Sequence, residues 1–210
     1  MNSKKIEQTI HSGSQGERLA QERFGTGSRA LAFYQNQMLS ELNALMQEFI
    51  AGQEMVFIAT ADAQGNADCS FRSGAPGFVY ILNSQTVAYP EYRGNGVLAS
   101  VGNILENPHI GLMFIDFFKS TIGLHVNGKA QVIDNERLAD VLQVSPKMRE
   151  AANIQGGRHP TCWIVVDIEE AFIHCSKHVP LFKKIEKQLH WGTDDERLKG
   201  GDYFKVKGGA

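Results

Sequence analysis

Strong net charge, long apolar runs and a cysteine framework are all missing from this chain. Its 21 Lys and Arg against 23 Asp and Glu leave a formal charge of −2 over 210 residues. No basic field therefore invites nucleic acid or an acidic membrane surface. No apolar run approaches the roughly 20 residues needed to cross a bilayer, so no membrane partner is expected. The three cysteines, Cys69, Cys162 and Cys175, are odd in number and widely spaced. They make a poor disulfide framework and fit a reducing, cytoplasmic setting. The opening MNSKKIEQTIHSGSQGERLAQ carries no apolar h-region, so a secretory signal is not expected. No Gly-rich fingerprint follows a strand, which argues against a dedicated dinucleotide domain. A serine nucleophile has no G-x-S-x-G elbow to support it.

What is present is ordinary globular material, 42% hydrophobic and 21% charged, enough for one domain with appendages. Residues 28–51 place Leu31, Tyr34, Met38, Leu42, Leu45, Met46, Phe49 and Ile50 on one helical stripe ended by Gly52, which predicts a single helix. A shorter helix is expected over Gln15–Phe24. From residue 54 the periodicity shifts towards strands. Met55–Thr60 and Ala67–Ser73 flank a polar turn and read as a hairpin. Phe78–Leu82 and Gln85–Tyr89 suggest a second pair, and Ile110–Asp116 a further strand. Ile122–Val132 alternates cleanly, with Leu124, Val126 and Ala130 on one face and His125, Asn127 and Lys129 on the other. Asn135–Val144 suits a helix, and Thr161–His174 a long final strand. Strands in hairpins with few helices favour a closed antiparallel barrel over a parallel sheet. Residues 1–53 then form a helical front, 54–178 the barrel, and 179–210 a polar tail or helix, with Lys183, Lys184 and Lys187 on a solvated turn.

The richest stretch is YPEYRGNGVLASVGNILENP, Tyr89–Pro108. Val97, Leu98, Val101, Ile104 and Leu105 make one apolar helical face. The turn before them, Arg93-Gly94-Asn95-Gly96, supplies a cation, two permissive glycines and an Asn able to cap. A helix N-terminus with an Arg beside it suits an anion such as a phosphate. On the second strand, Asp68, Ser70 and Arg72 share a face opposite Ala67, Cys69 and Phe71. That polar face is either solvated or the mouth of a pocket. Arg72 and Arg93 together would offer two guanidinium forks to phosphate oxygens.

GNADCSFRSG, VAYPEYRGNGVLASVGNILENPHIGLMFID, LHVNGKAQVI and FIHCSKH, in that order and spacing, resemble the pyridoxamine 5′-phosphate oxidase-like, FMN-binding split-barrel family. The resemblance spans about residues 54–178. His11-Ser12-Gly13, with Glu17, Gln21 and Gly25, resembles the leader of one uncharacterised subgroup. The resemblance implies mainly β structure with flanking helices, a six-stranded antiparallel split barrel, and a homodimer with flavin at the interface. It implies that Ser70, Phe71, Arg72 and Ser73 run along the isoalloxazine and ribityl chain, and that Tyr89 and Pro90 touch the flavin edge. Arg93, Gly94, Asn95 and Ser100 would hold the phosphate. His125 would face the partner's flavin or solvent, and Lys177 would approach from the C-terminal side. Arg72, His125 and Lys177 are the candidates for a cation beside the flavin's N1 and O2. No general base is implied.

The tail departs from true pyridoxamine phosphate oxidases. It has one Trp, Trp191, and one Arg, Arg197, in place of a clustered Arg segment, so vitamin B6 oxidation is not expected. His174-Cys175-Ser176-Lys177-His178 contains three metal-type donors but no second matching pair, so no metal site is expected. Related split barrels use a deazaflavin (F420) or haem, and His174, His178 and His190 keep the haem alternative open. Two functional classes remain. One is an FMN-dependent oxidoreductase acting on a small molecule, supplied by a reduced nicotinamide or a reductase. The other is a flavin carrier or sensor without turnover.

Overall fold

Period-two sequence produces the sheet at the centre of this molecule. The computed structural model describes residues 13–206, so His11 and Ser12 of the proposed leader lie outside the described residues. Two helices come first among the described residues, α1 (Gln15–Phe24) and α2 (Gly27–Asn36). Ser14 and Glu17 form a reciprocal capping box on α1, and Gly25 ends it in the left-handed conformation. The single helix expected over 28–51 is in fact two. After α2, Met38–Leu39 form a short strand β1 that pairs with Phe172 and Ala171. Then α3 (Ala44–Ala51) restarts, with Asn43 Oδ1 accepting the Met46 N–H at 2.9 Å. A helical stripe carries no mark of such a break, because cap and strand pairing are decided by partners.

Seven further strands follow: β2 (Met55–Ala61), β3 (Ala67–Ser73), β4 (Tyr80–Asn83), β5 (Thr86–Glu91), β6 (His109–Ile115), β7 (Gly123–Asp134) and β8 (Cys162–His174). They lie in the order β3-β2-β6-β7-β8-β5-β4, with β1 on β8, and every pairing is antiparallel. The fold is the mainly β split-barrel class with flanking helices, but the described residues form eight strands rather than six. Nor does a hydrogen-bond ladder close it: β3 and β4 are the ends of the strand order.

Alternation along the strands sorts the core into two. Val56, Ile58, Val87, Tyr89, Leu112, Phe114, Val126, Ile164 and Val166 fill the barrel. On the opposite face of β5 and β8, Ala88, Trp163 and Val165 pack with Leu138 and Met148. Those last two come from α5 (Leu138–Val141) and α6 (Pro146–Ala152), the latter capped by Ser145. Strand β8 is therefore apolar on both faces, which explains its unbroken run CWIVV. Between β5 and β6, α4 (Ala99–Glu106) packs Val101 and Ile104 on the barrel. Among the described residues the tail holds no helix: 179–190 have no regular structure, and 191–204 only turns. No described helix is long and apolar enough to cross a membrane.

Candidate functional site

The site is built where β5 runs into α4. Glycines 94 and 96 both take positive φ, 54° and 84°, which lets Tyr92–Leu98 fold tightly between strand and helix. Asn95 does not cap α4. Its Oδ1 accepts the Val97 N–H at 3.0 Å inside the turn. The residue at the N-cap is Leu98, in the left-handed region at φ 53°, and no side chain caps the helix. The first-turn N–H groups of α4 are thus left to an outside acceptor. A cavity of about 470 Å³ lies there, lined by Asp68, Ser70, Arg72, Arg93, Asn95 and Ser100 among others.

Strand β3 sends its polar face into that cavity. Asp68, Ser70 and Arg72 are less exposed than their neighbours Ala67, Cys69 and Phe71, so this face is a pocket wall, not a solvated outer surface. Ser70 Oγ lies 3.0 Å from the buried Ser100 Oγ and donates to Asp68 Oδ2 at 2.9 Å. Arg72 is committed elsewhere. Its Nε and Nη2 donate to both carboxylate oxygens of Glu91 at 2.8–3.0 Å. Glu91 is only 4% exposed. Neither of the two expected guanidinium forks is therefore free: Arg93 Nη2 meets Asp194 of the tail at 3.1 and 3.2 Å.

Gly94 and Phe71 also line the cavity, Phe71 at its rim, while the remaining sequence candidates lie elsewhere. Tyr89 is fully buried in the barrel core. Its hydroxyl finds no partner among the described residues, and burial holds its ionisation well above the usual tyrosine range. Pro90 pairs in register with Trp163 on the far side of β5. Ser73 ends β3 opposite Met55. Phe71 points outward, 49% exposed, with its ring 5.5 Å from Phe57. Register carries that row across the sheet through Phe57, Met113 and His125 to Phe172. Phe71 and His125 thus share one outer face, three strands or roughly 14 Å apart.

His125 stacks on Phe172 at 4.8 Å, and its Nε2 lies 3.0 Å from His174 Nδ1. Burial, and secondarily the neighbouring His174, hold its pKa below 6.5. Lys177 is exposed in the turn after β8. Of the three candidate flavin-edge cations, Arg72 is neutralised by Glu91 and His125 is biased neutral. Lys177 has no ion-pair partner among the described residues.

Sequence reading missed Glu91, Trp191 and Asp194. Glu91 had a signal: it follows Val87 and Tyr89 on the inward alternation of β5, where a carboxylate requires a cation. The tail residues had none.

The pyridoxamine 5′-phosphate oxidase family model matches residues 42–175. No curated protein matches the chain. Among solved structures, HupZ from Group A Streptococcus is 20% identical, with 63% of this chain and 93% of that one covered at a TM-score of 0.47. HutZ, the haem storage protein from Vibrio cholerae, is 15% identical over 63% and 94%, at 0.39. A general stress protein 26-related protein from Clostridium acetobutylicum, of the pyridoxinephosphate oxidase family, is 11% identical over 61% and 84%, at 0.40.

Proposed function

The chain belongs to the pyridoxamine 5′-phosphate oxidase family, and from that premise we propose that it is an FMN-dependent oxidoreductase acting on a small molecule. The observation that carries this reading is the uncapped N-terminus of α4 opening on a cavity with Arg93, Asn95, Ser70 and Ser100 in its wall. Unpaired N–H groups and a guanidinium are the donors that fit a phosphate monoester, beside two hydroxyls of which Ser70's now donates to Asp68. When bound, the flavin supplies the redox chemistry, and the protein binds and orients it. Arg93 would anchor the phosphate, with the Ser70 and Ser100 hydroxyls beside it once released from Asp68, and the Arg72–Glu91 pair holds β3 in place.

The proposal includes a homodimer with the cofactor at the interface. Its support is the outer row from the exposed Phe71 to Phe172, which sets apolar and aromatic side chains on a half-buried sheet face. A second subunit would bring His125 and Lys177 towards the flavin. Electrons would come from a reduced nicotinamide or a reductase, in the cytoplasm. A deazaflavin in place of FMN is a variant of the same reading.

One observation favours a second reading. His125 and His174 stand together on that aromatic face, which suits haem more than a purely polar surface would. The test is an absorption spectrum of the purified protein with FMN, deazaflavin and haem added in parallel. Flavin bands with quenched fluorescence support the first reading, and a Soret band supports the second. Uptake of none of the three would sink both. Tight flavin with no acceptor across a broad substrate panel would make the protein a carrier or sensor.

A further inference from the structure

The tail leaves the barrel at β8 and returns to the Arg93 turn. Phe182 donates its N–H to Phe117 O at 2.7 Å and stacks on that ring, and Lys184 pairs with Glu54. Trp191 then packs on Tyr92 at 5.3 Å, with the Arg158 guanidinium 5.7 Å from its ring centroid. Gly192 seats its backbone directly on Gly157. A Cβ on either glycine would run into the other segment's backbone, and Gly192 has φ +69°. From that seat Asp194 reaches Arg93, and Lys199 closes on the same carboxylate at 2.7 Å. A second cavity of about 760 Å³ is walled by this segment and shares Tyr92, Arg93, Gly94 and Asn95 with the first.

We propose that residues 191–199 are a self-inhibitory strap in which the Asp194 carboxylate stands where a ligand phosphate would otherwise sit on Arg93. This rests on the reading that the ligand's phosphate is held at Arg93. The chemistry is substitution of like for like. A carboxylate between a guanidinium and an ammonium is an anion in an anion's place, and a second anion at the same fork is repelled. The Asp194 carboxylate and a ligand phosphate therefore compete for the Arg93 guanidinium. Apparent affinity is reduced by the fraction of molecules in the closed state. Arg93 and Asp194 are both more than half exposed, so the bias is modest, a severalfold effect that a substrate or partner drawing on the tail could reverse. Asp194 is held below the usual carboxylate range by Lys199 first and Arg93 next, so the strap stays charged throughout neutral pH.

The experiment titrates FMN and riboflavin, followed by flavin fluorescence, into the full chain and three variants. Asp194→Asn should tighten FMN by about threefold and leave riboflavin unchanged, since riboflavin lacks the phosphate that competes. Gly192→Ala, which unseats the strap without touching a charge, should shift FMN the same way. If Arg93→Ala weakens FMN but Asp194→Asn leaves it unchanged or weaker, the strap is wrong and the phosphate site stands. If FMN and riboflavin bind alike and Arg93→Ala alters neither, the phosphate site is wrong and the strap falls with it.

Discussion

Arg72 on β3 and Glu91 on β5 are joined by a forked ion pair at 2.8–3.0 Å, although no ladder pairs those strands. Strand β3 is an end strand, and this pair ties it to β5 across the split. Glu91 is nearly inaccessible and Arg72 about one-fifth exposed, so removing either partner leaves the other largely desolvated. Glu91→Ala should cost about 3 kcal/mol of stability in urea unfolding. Arg72→Lys should recover little, because a point charge does not reproduce the fork. A loss under 1 kcal/mol would mean that the pair does not hold the strand.

Arg93 is the cation of the turn, held by the exposed Asp194 in place of a buried partner. A charge-assisted hydrogen bond contributes about 1.5 kcal/mol when its surroundings are partly wet. Arg93→Ala should therefore weaken FMN roughly tenfold and leave riboflavin unaffected. Equal losses for both would move the phosphate elsewhere.

Asp68 works against a bound phosphate. Its carboxylate takes the Ser70 hydroxyl at 2.9 Å and lies 3.5 Å from that of Ser100. A bound phosphate meets both a like charge and hydroxyls already engaged. Asp68→Asn keeps an acceptor and removes the charge, so FMN should bind tighter by about 1 kcal/mol, roughly fivefold. Weaker binding would show that Asp68 orders the site instead.

How much of this could be read from sequence depended on whether the deciding contact was local. Strand β3 was legible to its ends because Asp68, Ser70 and Arg72 alternate with Ala67, Cys69 and Phe71 over a full span. The turn at Arg93 was legible because glycine and asparagine mark it. The break at 37–43 was not, since Leu39 answers to Ala171, far along the chain. The role of Arg72 was missed for the same reason: its partner lies two strands of sequence away. Asp194 meets Arg93 across 101 residues, and no period or motif joins them.

The second core has its own weak point. Trp163 is fully buried and donates Nε1–H to Asn135 Oδ1 at 2.7 Å. Asn135 in turn donates to Ala152 O at 3.0 Å, fastening α6. Asn135→Ala strands the indole N–H in an apolar setting and should cost about 2 kcal/mol. Asn135→Asp, which keeps the acceptor for Trp163 and loses the donor to Ala152, should cost less. If the two variants were equally stable, the indole bond would not be the main contribution.

His125 gives the fold a dependence on pH. Burial first, and His174 next, hold its folded pKa below the ordinary 6.5. Below pH 6.5 the unfolded chain therefore takes up a proton that the folded one resists. The unfolded state binds more protons there, so stability rises with pH. The contribution is complete above pH 6.5 and is lost progressively as pH falls towards the folded value. Urea midpoints measured across that interval should decline on acidification. In His125→Gln, which retains a hydrogen-bonding group for His174 without titrating, the decline should be shallower. An unchanged slope would assign the acid sensitivity to other groups.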